Sequence, residues 1–193
     1  MDDKAERFLE IFKQCDSFFK ESIDNAIKNQ RAHISDEAKF YLMGVLVMGF
    51  NTDPHSDTKG LTEKYMIAQN SESYEGFRII GDWALLISGI WWQSLLRKSI
   101  DVDYYIDIGR QAYQQASASA PRNLSQLLEE LADNFVVAVD ILIEVTECIN
   151  KAKVSNTDIL RMYEVWQRTH SVFIEQKLRS LGINVVPGTT KIQ

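Results

Sequence analysis

The sequence predicts an all-α fold: a single-domain helical bundle of six to eight helices, closed by a long antiparallel pair at the C-terminal end. Three observations carry this. Apolar residues recur at three and four positions nearly everywhere, which is the repeat of one helix face. Alternation of period two never persists, and the chain has only three prolines. With 193 residues, 45% hydrophobic and 25% charged, it has ordinary values for one domain with a sizeable core.

The elements follow in order. Phe8, Phe12, Cys15, Phe19, Ile23 and Ala26 form one face of a first helix, widened by Leu9, Phe18 and Ile27. Ser35-Asp36-Glu37 is a helix start, with a capping hydroxyl and two acids at the positive end of the dipole. From there to Phe50 no face is polar, and a helix apolar all round is expected to be buried all round. Asn51 to Gly60 is a polar turn cluster, and a short helix carrying Leu61, Tyr65 and Ala68 follows it. In GDWALLISGIWWQSLLRK, Gly81 ends one element and Asp82 caps the next, a second enclosed helix with a bend at Ser88-Gly89.

Asp101 caps a helix whose apolar face is Val102, Tyr105, Gly109, Ala112 and Ala116. Pro121 breaks the chain where a new helix can begin. A long amphipathic helix then runs from Asn123 to Ala152, with Leu124, Leu128, Leu131, Phe135, Val139, Leu142 and Ile149 along one face. After the turn KVSNT, a last helix carries Ile159, Met162, Trp166, His170, Phe173 and Leu181 and stops at Gly182. Each of these two spans roughly 25 to 30 residues, about 40 Å, and the short turn makes them antiparallel neighbours. Residues 183–193 read as a loose tail.

Composition removes several function classes. The net charge is −6 and the pI about 5.1, with no basic block, which argues against nucleic acid as a partner. MDDKAERF lacks the basic start and apolar run of a secretory signal. The longest apolar run, Phe40 to Phe50, is 11 residues, against the roughly 20 needed to cross a bilayer. No membrane association and a cytoplasmic location are therefore expected. Cys15 and Cys148 make no C-x-x-C pair and read as small buried thiols.

Chemistry-bearing motifs are few. His33, His55 and His170 form neither H-x-x-x-H nor E-x-x-H, so no metal site is expected. Only His170 lies on an apolar helical face. Its plain reading is a core or rim histidine; the sharper one is a pocket acid–base or a haem ligand. Asp103, Asp107, Arg110 and Gln114 share one face, read as a solvated surface or, more sharply, a charged cleft shared with a partner. Glu129, Glu130, Asp133, Asp140 and Glu144 decorate the long helix without a matching set elsewhere. There is no G-x-S-x-G, no Walker loop and no G-x-G-x-x-G. Trp83, Trp91, Trp92, Tyr104, Tyr105 and Tyr113 cluster in sequence; core packing is the plain reading and an apolar pocket or interface the sharper one.

The segments GDWALLISGIWW, DVDYYIDIGRQAY and LADNFV resemble a family of uncharacterised bacterial helical proteins. In that family a G-D-x-x-L segment precedes Y-Y-x-x-x-G-R-x-A-Y and a long C-terminal helix. The likeness covers Gly81 to Gly182. It implies no activity, and it draws attention to Asp82, Tyr105, Gly109, Arg110 and Tyr113.

Three functional expectations result. The first is an interaction protein, a homodimer burying the Trp-rich region or the long helices. The second is a binding protein for an apolar or aromatic small molecule, with a pocket near Trp83, Trp92, Tyr105 and His170. The third is a haem- or metal-assisted enzyme with His170 as first ligand. The binding candidates are Asp82, Trp83, Trp92, Asp103, Tyr105, Asp107, Arg110, Tyr113 and His170, and no cofactor is specified.

Overall fold

The computed structural model describes residues 18–52, 60–71, 73–97, 102–149, 156–183 and 185. The described residues form ten α-helices and one π turn, and no strand. The first helix, α1, covers 18–30, followed by α2 (Asp36–Asn51), α3 (Leu61–Ser71) and α4 (Tyr74–Leu85). The π turn Leu86–Ile90 leads into α5 (Trp92–Arg97). Then come α6 (Val102–Ser119), α7 (Arg122–Asp133), α8 (Phe135–Ile149), α9 (Asn156–Thr169) and α10 (Val172–Ser180). The all-α bundle is thus the observed fold.

Local chemistry sets the helix starts. The Ser35 hydroxyl accepts the Ala38 amide at 3.1 Å, as the Ser-Asp-Glu start requires. Ser73 does the same for Gly76 and opens α4. Pro121 precedes α7, and its carbonyl accepts the Leu124 and Ser125 amides. The expected cap at Asp101 and the start of the first-helix face, Phe8, Leu9, Phe12 and Cys15, lie outside the described residues, while Phe19, Ile23 and Ala26 are buried as that face expects. His55 and most of the loop around it also lie outside them.

The centre of the bundle is the α4–α6 pair. Its approach depends on missing side chains. A Cβ on Gly81 would run into the Tyr113 ring, and one on Gly109 would meet Phe135 and sit 2.8 Å from the Ala84 Cβ. Ile106, Ala112, Tyr113 and Ala116 of α6 are buried against this contact. Tyr105, expected on that face, is only half-buried.

Several expectations are corrected, and the excess over eight helices comes from breaks that periodicity alone does not reveal. The expected helix from Asn123 to Ala152 is interrupted at Asn134, whose side-chain amide donates to the Glu130 carbonyl at 3.0 Å. The last helix breaks at His170, where φ is +51°, and Ser171 caps a new one. The long antiparallel pair is therefore four shorter helices, with α9 lying mainly against α5, α6 and α10. Asp82 is not a cap and Gly81 does not end an element; both are interior to α4. The bend expected at Ser88-Gly89 is the π turn, in which the Trp91 amide reaches back five residues to the Leu86 carbonyl at 2.9 Å. Ser88 satisfies its hydroxyl on the Ala84 carbonyl at 2.6 Å. Cys148 is exposed rather than buried. Ile183 and Val185 pack against the core, so the tail does not begin at 183.

The largest departure is α2. Its Ala38, Leu42, Val45, Leu46 and Gly49 are buried, as expected. Its opposite side faces outward, with Phe40 73% exposed, while Phe50 at the flank stacks on Phe19 of α1 with ring centroids 5.6 Å apart. No helix among the described residues is long and apolar enough to cross a membrane.

Candidate functional site: a buried carboxylate where three helices meet

Asp82 is 5% exposed, and its carboxylate joins α2, α4 and α6. Oδ1 accepts two phenols, Tyr41 from α2 at 2.5 Å and Tyr113 from α6 at 2.8 Å. Oδ2 accepts Arg78 Nη1 at 2.8 Å, one turn earlier on α4. The same Nη1 lies 3.4 Å from the Tyr41 hydroxyl. Tyr113 is fully enclosed and meets Tyr41 edge-on, with ring centroids 6.3 Å apart.

The electrostatics follow from burial. Loss of solvent pushes the Asp82 pKa up, and the Tyr41 bond, the Arg78 charge and the Tyr113 bond each oppose the rise. Burial first, and then the Asp82 charge, raise both phenols, so the tyrosines are held as neutral donors. The carboxylate's oxygens are occupied by three donors from side chains of the chain itself. The arrangement is a clasp in which one carboxylate ties three helices together.

A second set of acids runs along α7 and α8 and does similar work. Glu130 accepts the Ser35 amide at 2.6 Å and its hydroxyl at 2.5 Å, holding the start of α2. Asp140, 3% exposed, accepts the Ser171 hydroxyl and the Phe173 amide at the start of α10. Glu144 takes the side-chain amides of Asn29 and Gln30 at 2.7 and 2.9 Å. Glu147 takes Lys177 and Gln93 at 2.5 and 2.8 Å. Burial raises the Asp140 pKa to about 6, against the Ser171 hydroxyl and the Phe173 and Val172 amides, while the Glu144 charge adds to the rise. Among the described residues no group of three or more His, Cys, Asp or Glu is gathered closely enough to hold a metal ion.

The sequence candidates separate. Asp82 and Tyr113 come together in the clasp. Trp83 is half-buried, tilted against Trp91 at 5.9 Å, with the Lys64 ammonium 4.6 Å from its ring centroid. Trp92 is core and meets Phe173 edge-on at 6.5 Å. Tyr105 packs on Tyr104, and His170, exposed at the α9–α10 break, meets the edge of Trp166. The residues expected to share a pocket thus sit in four different sets of ring contacts. Asp103 pairs with Arg168 of α9 at 3.1 Å, so that end of its face meets another helix, while Asp107 and Arg110 face solvent.

Sequence reading missed Tyr41 and Arg78. The Arg78–Asp82 spacing of four was legible as a helical pair. Tyr41 was hidden in an apolar run, where its hydroxyl was the only sign that a buried acceptor must lie nearby. The spaces among the described residues include a small void and a wide groove. A void of about 20 Å³ beside Asp140, lined by Ser88, Trp92, Thr169 and Ser171 among others, has room for a water but not a metabolite. A wide groove of about 470 Å³ is lined by Ile27, Ala32, His33, Ile34, Ser35, Lys39 and Glu130. Comparison with known protein families, curated proteins and solved structures returns no match to this chain.

Proposed function

We propose that the protein works by association, and that its docking face is the outward side of α2. One observation carries this: between Lys39 and Thr52 the helix has no charged residue, yet Phe40 at its outward side is 73% exposed. An isolated exposed apolar residue is ordinary, but a helix apolar on both sides needs cover on both. Its inner side is covered by the bundle. Its outer side carries the exposed Phe40, Gly44 and Asn51, with the half-buried Val47 between them, at three- and four-residue steps, a stripe suited to another helix. The Trp-rich segment fits this role less well, since Trp92 is core and Trp83 and Trp91 cover one another. The reading takes the cytoplasm as the compartment.

The test places a photo-crosslinking benzoylphenylalanine at position 40 of the full chain, in the cell that makes it. Mass spectrometry then identifies the adducts. A defined protein adduct at position 40, absent when the probe replaces the exposed Gln126, supports the reading. No adduct at position 40 overturns it.

A further inference from the structure

The outward residues of α2 have a finer pattern. Glu37, Phe40, Gly44, Val47 and Asn51 are separated by three, four, three and four residues, the seam of helices that pack knobs into holes. The bundle's own contacts use a different set, Ala38, Leu42, Val45, Leu46 and Gly49. Of the seam only Val47, half-buried, also packs on the core, so among the described residues Glu37, Phe40, Gly44 and Asn51 remain exposed.

Gly44 sits at the middle of the seam. A Cβ there would have nothing within 4 Å, and its φ is not positive. Neither the packing nor the backbone of a single chain calls for glycine, and alanine would serve the helix better. A second helix backbone crossing close at that point does call for it.

Resting on the α2 reading, we infer that the partner is a second copy of this chain, its α2 crossing the first in antiparallel orientation at Gly44. About that centre the seam is its own complement. Phe40 of each copy falls against Val47 of the other, beside the space left by Gly44. Glu37 of each falls against Asn51 of the other, where an amide N–H can meet a carboxylate. Asn51 gives one of its side-chain hydrogens to the Val47 carbonyl at 2.8 Å and keeps the other. The match is the two-fold, self-complementary kind that closed dimers use. A parallel crossing would set Glu37 against Glu37, and like charges oppose it. Lys39, the nearest cation, is held by Asp24 and Asp36 at 3.4 and 3.1 Å, off the seam.

Sedimentation velocity and disulfide trapping test this on the full chain. The wild type is expected to form a dimer of twice 22.2 kDa whose population rises with concentration. Phe40→Glu is expected to raise the dissociation constant by about tenfold or more. Gly44→Leu should do the same without lowering the melting temperature, since its new side chain enters open space in the monomer. With the chain's two cysteines replaced (C15S, C148S), Gly44→Cys is expected to form a disulfide-linked dimer under mild oxidation, and Gln126→Cys is not. A dimer unmoved by Gly44→Leu, or one that Gly44→Cys does not trap, overturns the crossing. A monomeric wild type whose position-40 adducts carry a different protein overturns the second copy and leaves the α2 docking face standing. A monomer with no adduct removes both.

Discussion

Asp140 and Ser171 close the start of α10 between them. The Asp140 carboxylate, on α8, accepts the Ser171 hydroxyl at 2.5 Å, and Ser171 in turn accepts the Ile174 amide at 3.0 Å. The cap of one helix is thus anchored by a buried acid on another.

That acid makes stability depend on pH in an unusual direction. The Asp140 pKa is about 6 in the fold, against 3.8 for a free aspartate side chain, so between these values the folded state holds more protons than the unfolded one. Its stabilising contribution is present below about 4 and is lost as pH rises through about 6. Asp140→Asn should abolish this dependence. Urea unfolding at pH 4 to 7 is expected to show the wild type losing ground to the variant as pH rises, by at most about 3 kcal/mol. A gap constant with pH would exclude the effect.

The Asp82 clasp should be strongly non-additive. Tyr113→Phe removes one of three donors and is expected to cost about 1–3 kcal/mol. Asp82→Ala leaves an arginine, the buried Tyr113 phenol and the half-buried Tyr41 phenol without their acceptor and is expected to cost about 3–5 kcal/mol. The double variant should cost less than the sum, because the phenol has lost its partner already. Denaturant melts of the three variants decide it, and simple additivity would show that the bonds act independently.

Glu130 and Ser35 form a second coupled pair. Ser35→Ala is expected to cost about 1 kcal/mol as a lost cap, and Glu130→Ala a comparable amount. In the Glu130→Ala background the serine change should cost less, because its amide and hydroxyl are no longer held across the helices. Equal costs in both backgrounds would place the cap's value within α2 alone.

Two glycines should answer the same substitution with opposite signs. Gly81→Ala drives a methyl into the Tyr113 ring and is expected to destabilise by about 1–3 kcal/mol. Gly44→Ala, in dilute protein, is expected to stabilise by about 0.5–1 kcal/mol, since its methyl meets open space. Thermal melts of both at low concentration check this; a destabilised Gly44→Ala at that dilution contradicts it.

What could be read from sequence was local chemistry. The Ser35 cap and the Pro121 start are each decided within a few residues, and both stand as read. The breaks at Asn134 and His170 were illegible because the apolar repeat continues across them, so nothing in the pattern marks a change of direction. Asp82 looked like a cap because Gly-Asp opens many helices. Its actual environment is set by Tyr41 and Tyr113, 41 and 31 residues away, which periodicity cannot bring together. The outer face of α2 misled for a related reason: an apolar face shows that cover is needed, not which chain provides it. Trp166 Nε1 is buried without a hydrogen-bond partner among the described residues.

The links at Glu144 and Gln176 tie α1 to residues far along the chain. Asn29 and Gln30, at the end of α1, are bound by a carboxylate more than a hundred residues later, and Gln176 donates to the Asn29 carbonyl across a separation of 147. During synthesis the first helix must therefore wait for the last. At about 5–20 residues per second that interval is roughly 6–30 s, during which the apolar side of α1 has neither of these anchors. The newborn chain depends most on protection from aggregation before its final helix emerges.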